Sequence, residues 1–415
     1  SKGRLKKVGL LPSEMGWSAD RITNEINAVI LGMHAREDNT ELVRAKELGL
    51  KIYSYPEYLY EQTKDKTRVV IGGSHGKTTI TAMILHVLNK CDVDCDYMVG
   101  AQLDGFDVMV RLSDAPIVIL EGDEYLSSPI DRRPKFHLYR PHVALISGIA
   151  WDHVNVFPTF ENYVEQFSLF ADLIEKKGKL IYCEEDLEVR KVAEQCENEI
   201  SKVPYSIPRH ITENGKTFLL TNEGRVPLKV FGNHNLMNLN GARLVCNSIG
   251  VDDESFYSAI QDFKGASKRL ELIAENETVS VYKDFAHSPS KLKATTTAVK
   301  NQFDNRELIA CMELHTFSSL KKEFLSEYIG SMDNADVAIV YFSPHTLEHK
   351  KLPPLTADDV RTAFAREDIL VITESGELLE FLRSQTWKNK NLLMMSSGNF
   401  GGIDVQNLGA QIKEA

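Results

Sequence analysis

The stretch VVIGGSHGKTTITAMILHVLN, residues 69–89, decides the fold of the centre of the chain. Its first three residues form a short apolar run, as a buried parallel strand does. A strand, a glycine-rich turn and a helix N-terminus in this order leave free backbone N–H groups where an anion can bind. The stretch therefore predicts a phosphate-binding loop before an amphipathic helix. The apolar positions of that helix are Ile80, Met83, Ile84, Val87 and Leu88.

The loop differs from the common pattern G-x-x-x-x-G-K-[ST] at one position. Ile71 stands where that pattern has its first glycine, so the loop begins one residue later, at Gly72. Lys77 would still reach the outer phosphates of a nucleotide, and the Thr78 hydroxyl would bind Mg²⁺. The alternative is an ordinary glycine turn before a helix, which the order of strand, loop and helix disfavours. The residues expected to surround the phosphates are Gly73, Ser74, His75, Gly76, Lys77, Thr78 and Thr79.

Composition narrows the class of protein. The chain has 415 residues, a formal net charge of −11 and 43% hydrophobic residues, as an ordinary globular protein has. The negative charge argues against nucleic acid as a general partner, and no apolar run approaches the roughly 18 residues of a membrane span. The six cysteines form no C-x-x-C pair, and the start SKGRLKKVG lacks the apolar core of a signal peptide. These features favour a cytoplasmic protein with reduced thiols and no membrane partner.

Apolar strands alternate with helix-length segments, which predicts an α/β fold with mostly parallel sheets. At roughly 150 residues each, about three domains are expected, and we place them at residues 1–66, 67–264 and 265–415. In the first range, INAVILG and LKIYSY flank a helical stretch around NTELVRAKEL, so we expect the later part of an α/β unit whose first βαβ is missing. TFLLTNEGRVPLKVF predicts a hairpin. The other predicted strands are PIVIL, VALIS, GKLIYC, TVSVY, ELIACM, DVAIVY, ILVI and NLLMM.

Polar residues follow two of these strands near the phosphate loop. Glu121 ends PIVIL, and His153 follows VALIS in the segment GIAWDH. The carboxyl ends of parallel strands meet at one edge of a sheet, so both side chains could join Thr78 in holding Mg²⁺. The alternatives are a structural histidine and a solvated acidic turn, and the second of these is our interpretation of Asp123 and Glu124.

The segment GNHNLMNLNGA offers ligands for a nucleotide base. It places His234, Asn235 and Asn238 before a helix. An adenine edge presents both a donor and an acceptor, which an asparagine amide can match. A helix N-cap with a polar first turn is the alternative.

Further polar residues lie in the last third of the chain. Arg269 stands at the proposed domain junction, where a phosphate clamp and a surface salt bridge are equally good interpretations. Asp284 and His287 follow the strand TVSVY. His345 and His349 have i, i+4 spacing but lie among prolines, which favours a loop without zinc.

The order of these motifs resembles the Mur ligases, ATP-dependent enzymes that form amide bonds in bacterial cell-wall synthesis. The resemblance covers essentially the whole chain, and the shortened phosphate loop is typical of that family. Within it, the pattern D-x-R-x-K-F-x-x-Y-R-P at residues 131–141 is most similar to the ligases that recycle murein peptides. The motifs are GSHGKTT, EGDE, the DH of WDH, GNHNLMN, FKGASKRLE, DFAHSP and SSGNFGG.

The resemblance implies an incomplete Rossmann-like first domain that binds a UDP-sugar, a central ATPase domain and a Rossmann-like C-terminal domain. ATP and Mg²⁺ would serve to join the lactyl carboxylate of UDP-N-acetylmuramic acid to L-alanyl-γ-D-glutamyl-meso-diaminopimelate, through an acyl phosphate. The alternatives are L-alanine as the amine, a folylpolyglutamate-type ligase, or a P-loop switch without ligase activity. A monomer or weak homodimer is expected.

The resemblance also implies roles for single residues. Asp284 would meet the ribose or phosphates of ATP, and closure of the C-terminal domain would bring it to the reacting centre. Because no glycine-rich turn precedes the first apolar segment, we expect weak binding of UDP-N-acetylmuramic acid and normal binding of ATP. His315 stands where the recycling ligases have arginine. The residues expected to act in catalysis are Lys77, Glu121, His153, Arg269 and His287, with Thr78, Glu121 and His153 on the metal.

Overall fold

The computed structural model describes residues 2–33, 35–103, 105–151, 156–266 and 269–414. Within these ranges, no helix is long and apolar enough to cross a membrane.

The first 66 residues contain a small two-stranded parallel sheet. Asn39 caps its connecting helix by accepting from the N–H groups of Glu41 and Leu42, and Ser54 forms a capping box with Glu57 at the next helix. The two predicted strands and the helix between them are confirmed. The elements are α1 (Lys2–Lys7), a 3-10 helix (Ala19–Arg21), β1 (Ala28–Leu31), α2 (Thr40–Glu47), β2 (Lys51–Ser54) and α3 (Tyr55–Thr63).

The central part is built on a seven-stranded sheet. Its order is β5-β4-β6-β3-β7-β8-β9, and every pair except β4–β5 is parallel. The strand predicted before the phosphate loop, β3, lies in the middle, between the strand that ends at Glu121 and the strand that follows residue 142. The strands are β3 (Thr67–Gly72), β4 (Asp96–Met98), β5 (Val110–Arg111), β6 (Ile117–Glu121), β7 (Val143–Ile146), β8 (Lys179–Cys183) and β9 (Ser201–Tyr205).

Helices cover both faces of this sheet. Alternate residues of β3 point to opposite faces, so Val69 and Ile71 join the core beneath α4 and α7 while Val70 joins the core beneath α5 and α6. The predicted helix after the glycine loop is confirmed. The helices are α4 (Lys77–Lys90), a 3-10 helix (Lys135–Leu138), α5 (Phe160–Asp172), α6 (Leu187–Gln195), α7 (Asn233–Ser248) and α8 (Asp253–Ile260).

A three-stranded antiparallel sheet precedes α7. The predicted hairpin at residues 217–231 supplies two of its strands and is confirmed. The strands are β10 (His210–Glu213), β11 (Lys216–Thr221) and β12 (Gly224–Leu228).

The last third contains a six-stranded sheet of order β13-β14-β18-β15-β16-β17. All five predicted strands are present and parallel, and the sequence analysis missed the antiparallel edge strand β13. The division of the chain after residues 66 and 264 stays a prediction. The strands are β13 (Glu271–Glu275), β14 (Val279–Asp284), β15 (Glu307–Glu313), β16 (Val337–Tyr341), β17 (Leu370–Ile372) and β18 (Lys390–Met395).

One predicted loop is a helix. His345 and His349 lie in α11, because Pro344 stands at the first helical position, where its missing N–H costs nothing. The helices are α9 (Pro289–Gln302), α10 (Lys322–Leu325), a 3-10 helix (Ser326–Tyr328), α11 (Pro344–His349), α12 (Ala357–Phe364), α13 (Ser375–Ser384), a 3-10 helix (Phe400–Gly402) and α14 (Val405–Glu414).

Candidate active site

The glycine loop joins β3 to α4 at the carboxyl edge of the central sheet. Gly73 has φ +129°, and a Cβ there would lie 2.1 Å from the Ser147 hydroxyl oxygen. Gly76 has φ +80° and directly precedes α4, and a Cβ there would lie 2.5 Å from Asn238 Oδ1. Both glycines are therefore required by backbone conformation and by close neighbours. The loop thereby brings the N-terminus of α4 to the sheet edge, in the arrangement that suits an anion.

Lys77 is held by the carboxylate of Glu124, which is buried and not solvated. Its Nζ donates to Glu124 Oε2 at 2.6 Å and to the Gly73 carbonyl at 2.5 Å. Burial lowers the pKa of Lys77, but the charge and hydrogen bond of Glu124, together with the charges of Asp123 and Glu121, outweigh it, and the pKa is raised. Glu124 was interpreted as part of a solvated acidic turn, and this is wrong, since the side chain is 1% exposed. Asp123 is more open and pairs with Lys135 at 2.5 Å.

Two of the three predicted metal ligands are in contact. Thr78 Oγ1 donates to Glu121 Oε1 at 2.7 Å, and the Gly100 N–H donates to Glu121 Oε2 at 2.8 Å. A hydroxyl and a carboxylate are the oxygen ligands that Mg²⁺ prefers, so these residues fit that ion. His153 lies outside the described residues.

The predicted base-binding residues lie within a helix and not before it. Gly232, at φ +84°, precedes α7, so the polar segment forms the first turns of that helix. Asn235 Nδ2 donates to the Phe231 carbonyl at 3.0 Å, and Asn238 lies against Gly76. Burial, and to a smaller extent the charge of His75, lower the pKa of His234 to about 4. His234 is therefore neutral near pH 7.

His75 packs closely against the loop after β7. A Cβ on Gly148 would lie 2.4 Å from the imidazole, so the ring lies directly against this glycine. Part of His75 is open to solvent, but its ring is flanked by protein. The loss of hydration, together with the charge of Lys291, lowers its pKa.

Asp284 braces the loop that carries Arg269. Its carboxylate accepts from the N–H groups of Leu270 at 2.5 Å and Ala286 at 2.6 Å. Burial raises the pKa of Asp284, while these hydrogen bonds and the charge of Arg269 oppose the rise. The Arg269 guanidinium stacks over the Phe285 ring at 4.7 Å, a cation–π contact.

His287 follows this strand end. Its Nδ1 lies 2.8 Å from the Phe285 carbonyl, so in the neutral ring the proton is on Nδ1. The Tyr328 hydroxyl donates to the His287 carbonyl at 2.5 Å. The backbone at this residue is thus held by a tyrosine of the 3-10 helix Ser326–Tyr328.

Three residues at the site were not singled out from the sequence as ligands. Glu124 pairs with Lys77, and Tyr163 of α5 donates to Glu124. Lys291 of α9 is close enough for its charge to lower the pKa of both His75 and Asp284. For Lys291, the one available signal was its place two residues after the proline of DFAHSP. The burial of Glu124 depends on residues far away in the chain, so the sequence offered no signal for it.

Comparisons with known proteins identify the family of the central and C-terminal parts of the chain. Residues 71–246 match the Mur ligase middle domain, and residues 268–398 match the Mur ligase glutamate ligase domain. The UDP-N-acetylmuramate–L-alanine ligase of Caldanaerobacter subterraneus subsp. tengcongensis is 29% identical over 380 residues, covering 88% of this chain and 80% of that protein.

Two solved structures share the fold. The murein peptide ligase of Psychrobacter arcticus aligns with a TM-score of 0.62 at 20% identity, covering 100% of this chain and 91% of the other. The UDP-N-acetylmuramate–alanine ligase of Thermotoga maritima aligns with a TM-score of 0.68 at 19% identity, covering 99% and 90%. The predicted α/β architecture with mostly parallel sheets is confirmed. The chain belongs to the Mur ligase family and is an ATP-dependent ligase that forms carbon–nitrogen bonds.

Proposed function

We propose that this ligase joins the lactyl carboxylate of UDP-N-acetylmuramic acid to the amine of L-alanyl-γ-D-glutamyl-meso-diaminopimelate. The observation that carries the proposal is the segment from Asp131 to Pro141, whose pattern resembles the ligases that recycle murein peptides. The structural likeness to the murein peptide ligase of Psychrobacter arcticus supports the fold that this reaction needs.

That segment shapes the acidic loop of the site. Phe136 is buried and stacks on Phe170, with ring centroids 4.5 Å apart. A Cβ on Gly122 would lie 3.2 Å from Phe136 Cβ, so the segment packs directly beneath the loop that holds Glu121 and Glu124. Lys135 pairs with Asp123 of the same loop. The segment therefore helps to hold in place the loop that carries the carboxylates.

The residues at the sheet edge support a two-step reaction. The loop N–H groups and Lys77 would bind the phosphates of ATP, with Arg269 offsetting charge on the γ-phosphoryl group. The carboxylate of the sugar attacks the γ-phosphorus and ADP leaves, which forms an acyl phosphate. The amine then attacks the acyl carbon, the bond to phosphate breaks, and the nitrogen loses a proton. Mg²⁺, held by Thr78, Glu121 and by prediction His153, would neutralise phosphate charge.

A cavity of about 410 Å³ beside His234 can take the adenine. It lies between the start of α7 and one side of α9, and sites for small molecules commonly measure about 300–1,000 Å³. The neutral imidazole of His234 can donate to or accept from a base edge. Asp284 would act on the ATP through the loop of Arg269, which it braces.

L-Alanine is the second candidate for the amine, because the Caldanaerobacter relative is described as an L-alanine ligase. The test is phosphate release from ATP with UDP-N-acetylmuramic acid and either amine, at equal concentrations. The proposal predicts the larger kcat/KM with the tripeptide. A larger value with L-alanine would overturn it in favour of the second candidate. Both reactions share the UDP-sugar, so weak sugar binding lowers both rates and leaves their ratio unchanged.

A further inference from the structure

We infer that Tyr163 and Glu124 are positioning residues that hold Lys77 in the orientation needed for phosphate and tie the phosphate loop to the loop after β7. This inference rests on the proposed role of Lys77 in binding ATP. It concerns side chains that touch Lys77 and each other, not the reacting atoms.

The hydrogen-bond network around Tyr163 is buried, and its donors all point toward Glu124. Tyr163 is 0% exposed, and its hydroxyl lies 3.1 Å from Glu124 Oε1 and 2.8 Å from Ser74 Oγ. The Ala150 N–H donates to Ser74 Oγ at 2.9 Å. An ionised carboxylate can only accept, so Tyr163 donates to Glu124 and in turn accepts from Ser74. The donors thus run from Ala150 through two hydroxyls to the carboxylate that holds Lys77.

The network connects three loops at one sheet edge. Ser74 belongs to the loop after β3, Glu124 to the segment after β6 and Ala150 to the segment after β7. The last of these leads into residues 152–155, which include the predicted metal ligand His153. A displacement of Tyr163 would therefore be felt at the segments after β3, β6 and β7 together.

Rigid packing fixes the position of the phenol. The Tyr163 ring lies 5.3 Å from Phe167 and 5.4 Å from Phe157, measured between ring centroids. Lysine has a flexible stem and several rotamers, so Lys77 needs external groups to hold its ammonium in one place. Glu124 and the Gly73 carbonyl supply them, and Tyr163 keeps Glu124 from turning toward incoming phosphate, which it would repel.

The chain offers a matched control for the hydroxyl of Tyr163. Tyr205 of β9 is 2% exposed and packs in the core on the other face of the central sheet, but its hydroxyl has no hydrogen-bond partner within the described part of the chain. Tyr163→Phe and Tyr205→Phe both remove one buried hydroxyl and keep the ring. A general effect of losing a buried tyrosine hydroxyl would appear in both variants.

The experiment measures ATP affinity by calorimetry and the KM for ATP in the ligase reaction. Tyr163→Phe is expected to raise the Kd and the KM for ATP about 10-fold, the lower end of what one hydrogen bond to a charged group is worth, with little change in the KM of the amine. Tyr205→Phe should match the unmodified protein. Equal ATP affinities in all three proteins would overturn the inference, whereas an unmodified protein that binds no ATP would contradict the proposed function itself.

A double-mutant cycle gives a second test. If Tyr163 acts through Glu124, the free-energy cost of Tyr163→Phe must shrink when Glu124→Gln is already present. Additive effects on ATP affinity would overturn the coupling, even where each single variant is impaired.

Discussion

The central sheet and the C-terminal sheet both place carboxylates at the carboxyl ends of parallel strands, but the two edges use them differently. In the central sheet, Glu121 contacts the Thr78 hydroxyl and Glu124 contacts the Lys77 ammonium. The Thr78 hydroxyl and the Lys77 ammonium are groups that a metal ion and a nucleotide phosphate would bind.

In the C-terminal sheet the carboxylates brace the backbone. Asp284 accepts from two backbone N–H groups, and Glu313 accepts from the Phe400 N–H at 2.8 Å and from the Ser396 hydroxyl. His315 Nδ1 lies 3.6 Å from Glu313 Oε1. The position at a strand end therefore indicates where a site can form, while the partner of each carboxylate indicates what it does.

The largest expected effect tests the central edge. Lys77→Ala should lower ATP turnover by roughly 10³-fold, since it removes a charge aimed at the phosphates, while circular dichroism shows a folded protein and the melting temperature falls because Glu124 loses its partner. Lys90→Ala is the matched control, because Lys90 ends the same helix and forms an exposed pair with Asp262. Near-normal ligation by Lys77→Ala would remove the glycine loop from the mechanism.

The stability contributions of His234 and Asp284 should change with pH in opposite directions, although burial is the main cause of both pKa shifts. The folded pKa of His234 is about 4, below its ordinary value of 6.5. The unfolded chain therefore binds the proton first, and the free energy of unfolding falls as pH drops from 6.5 to 4. The loss is at most about 3 kcal/mol. His234→Gln should flatten this part of the stability profile, measured by urea unfolding.

The contribution of Asp284 to stability has the opposite dependence on pH. Its folded pKa is raised above the ordinary 3.8, so the folded state keeps the proton more tightly than the unfolded chain. Its contribution to stability is complete below pH 3.8 and is lost as pH rises through the folded pKa. Asp284→Asn should remove that loss and leave the His234 range unchanged. A shared change in both ranges would contradict the assignment of either group.

The parts of the site that are formed by consecutive residues were the most predictable from the sequence. Parallel strands are buried on both faces, so β3 and its neighbours read as apolar runs, and the glycines of the loop follow from backbone conformation. Glu124 could not be placed in this way. Its partners, Lys77 and Tyr163, are 47 and 39 residues away, and nothing in EGDE separates a buried carboxylate from a solvated one.

The predicted element boundaries were wrong where polar residues or a proline begin a helix. The segment NHN was expected to stand before a helix, yet it opens α7 after Gly232, and Pro344 begins α11 where a loop was expected. The edge strand β13 was missed because its charged ends mask the apolar residues between them. Pairing with β14 decides the edge strand, whereas a proline at the first helical position is a local signal that was interpreted as a break.

The smallest expected effect separates the two edges most sharply. Glu121→Gln keeps the shape of the side chain but removes the charge beside Thr78, so the Mg²⁺ concentration at half-maximal activity should rise roughly 10-fold. Glu313→Gln is the counterpart in the other sheet. Glu313 is equally buried and equally placed at a strand end, but its oxygens contact Phe400 and Ser396. It should lose stability without any change in the Mg²⁺ midpoint. If both variants shift the midpoint alike, the strand-end carboxylates act through a common structural effect, and Glu121 is not a metal ligand.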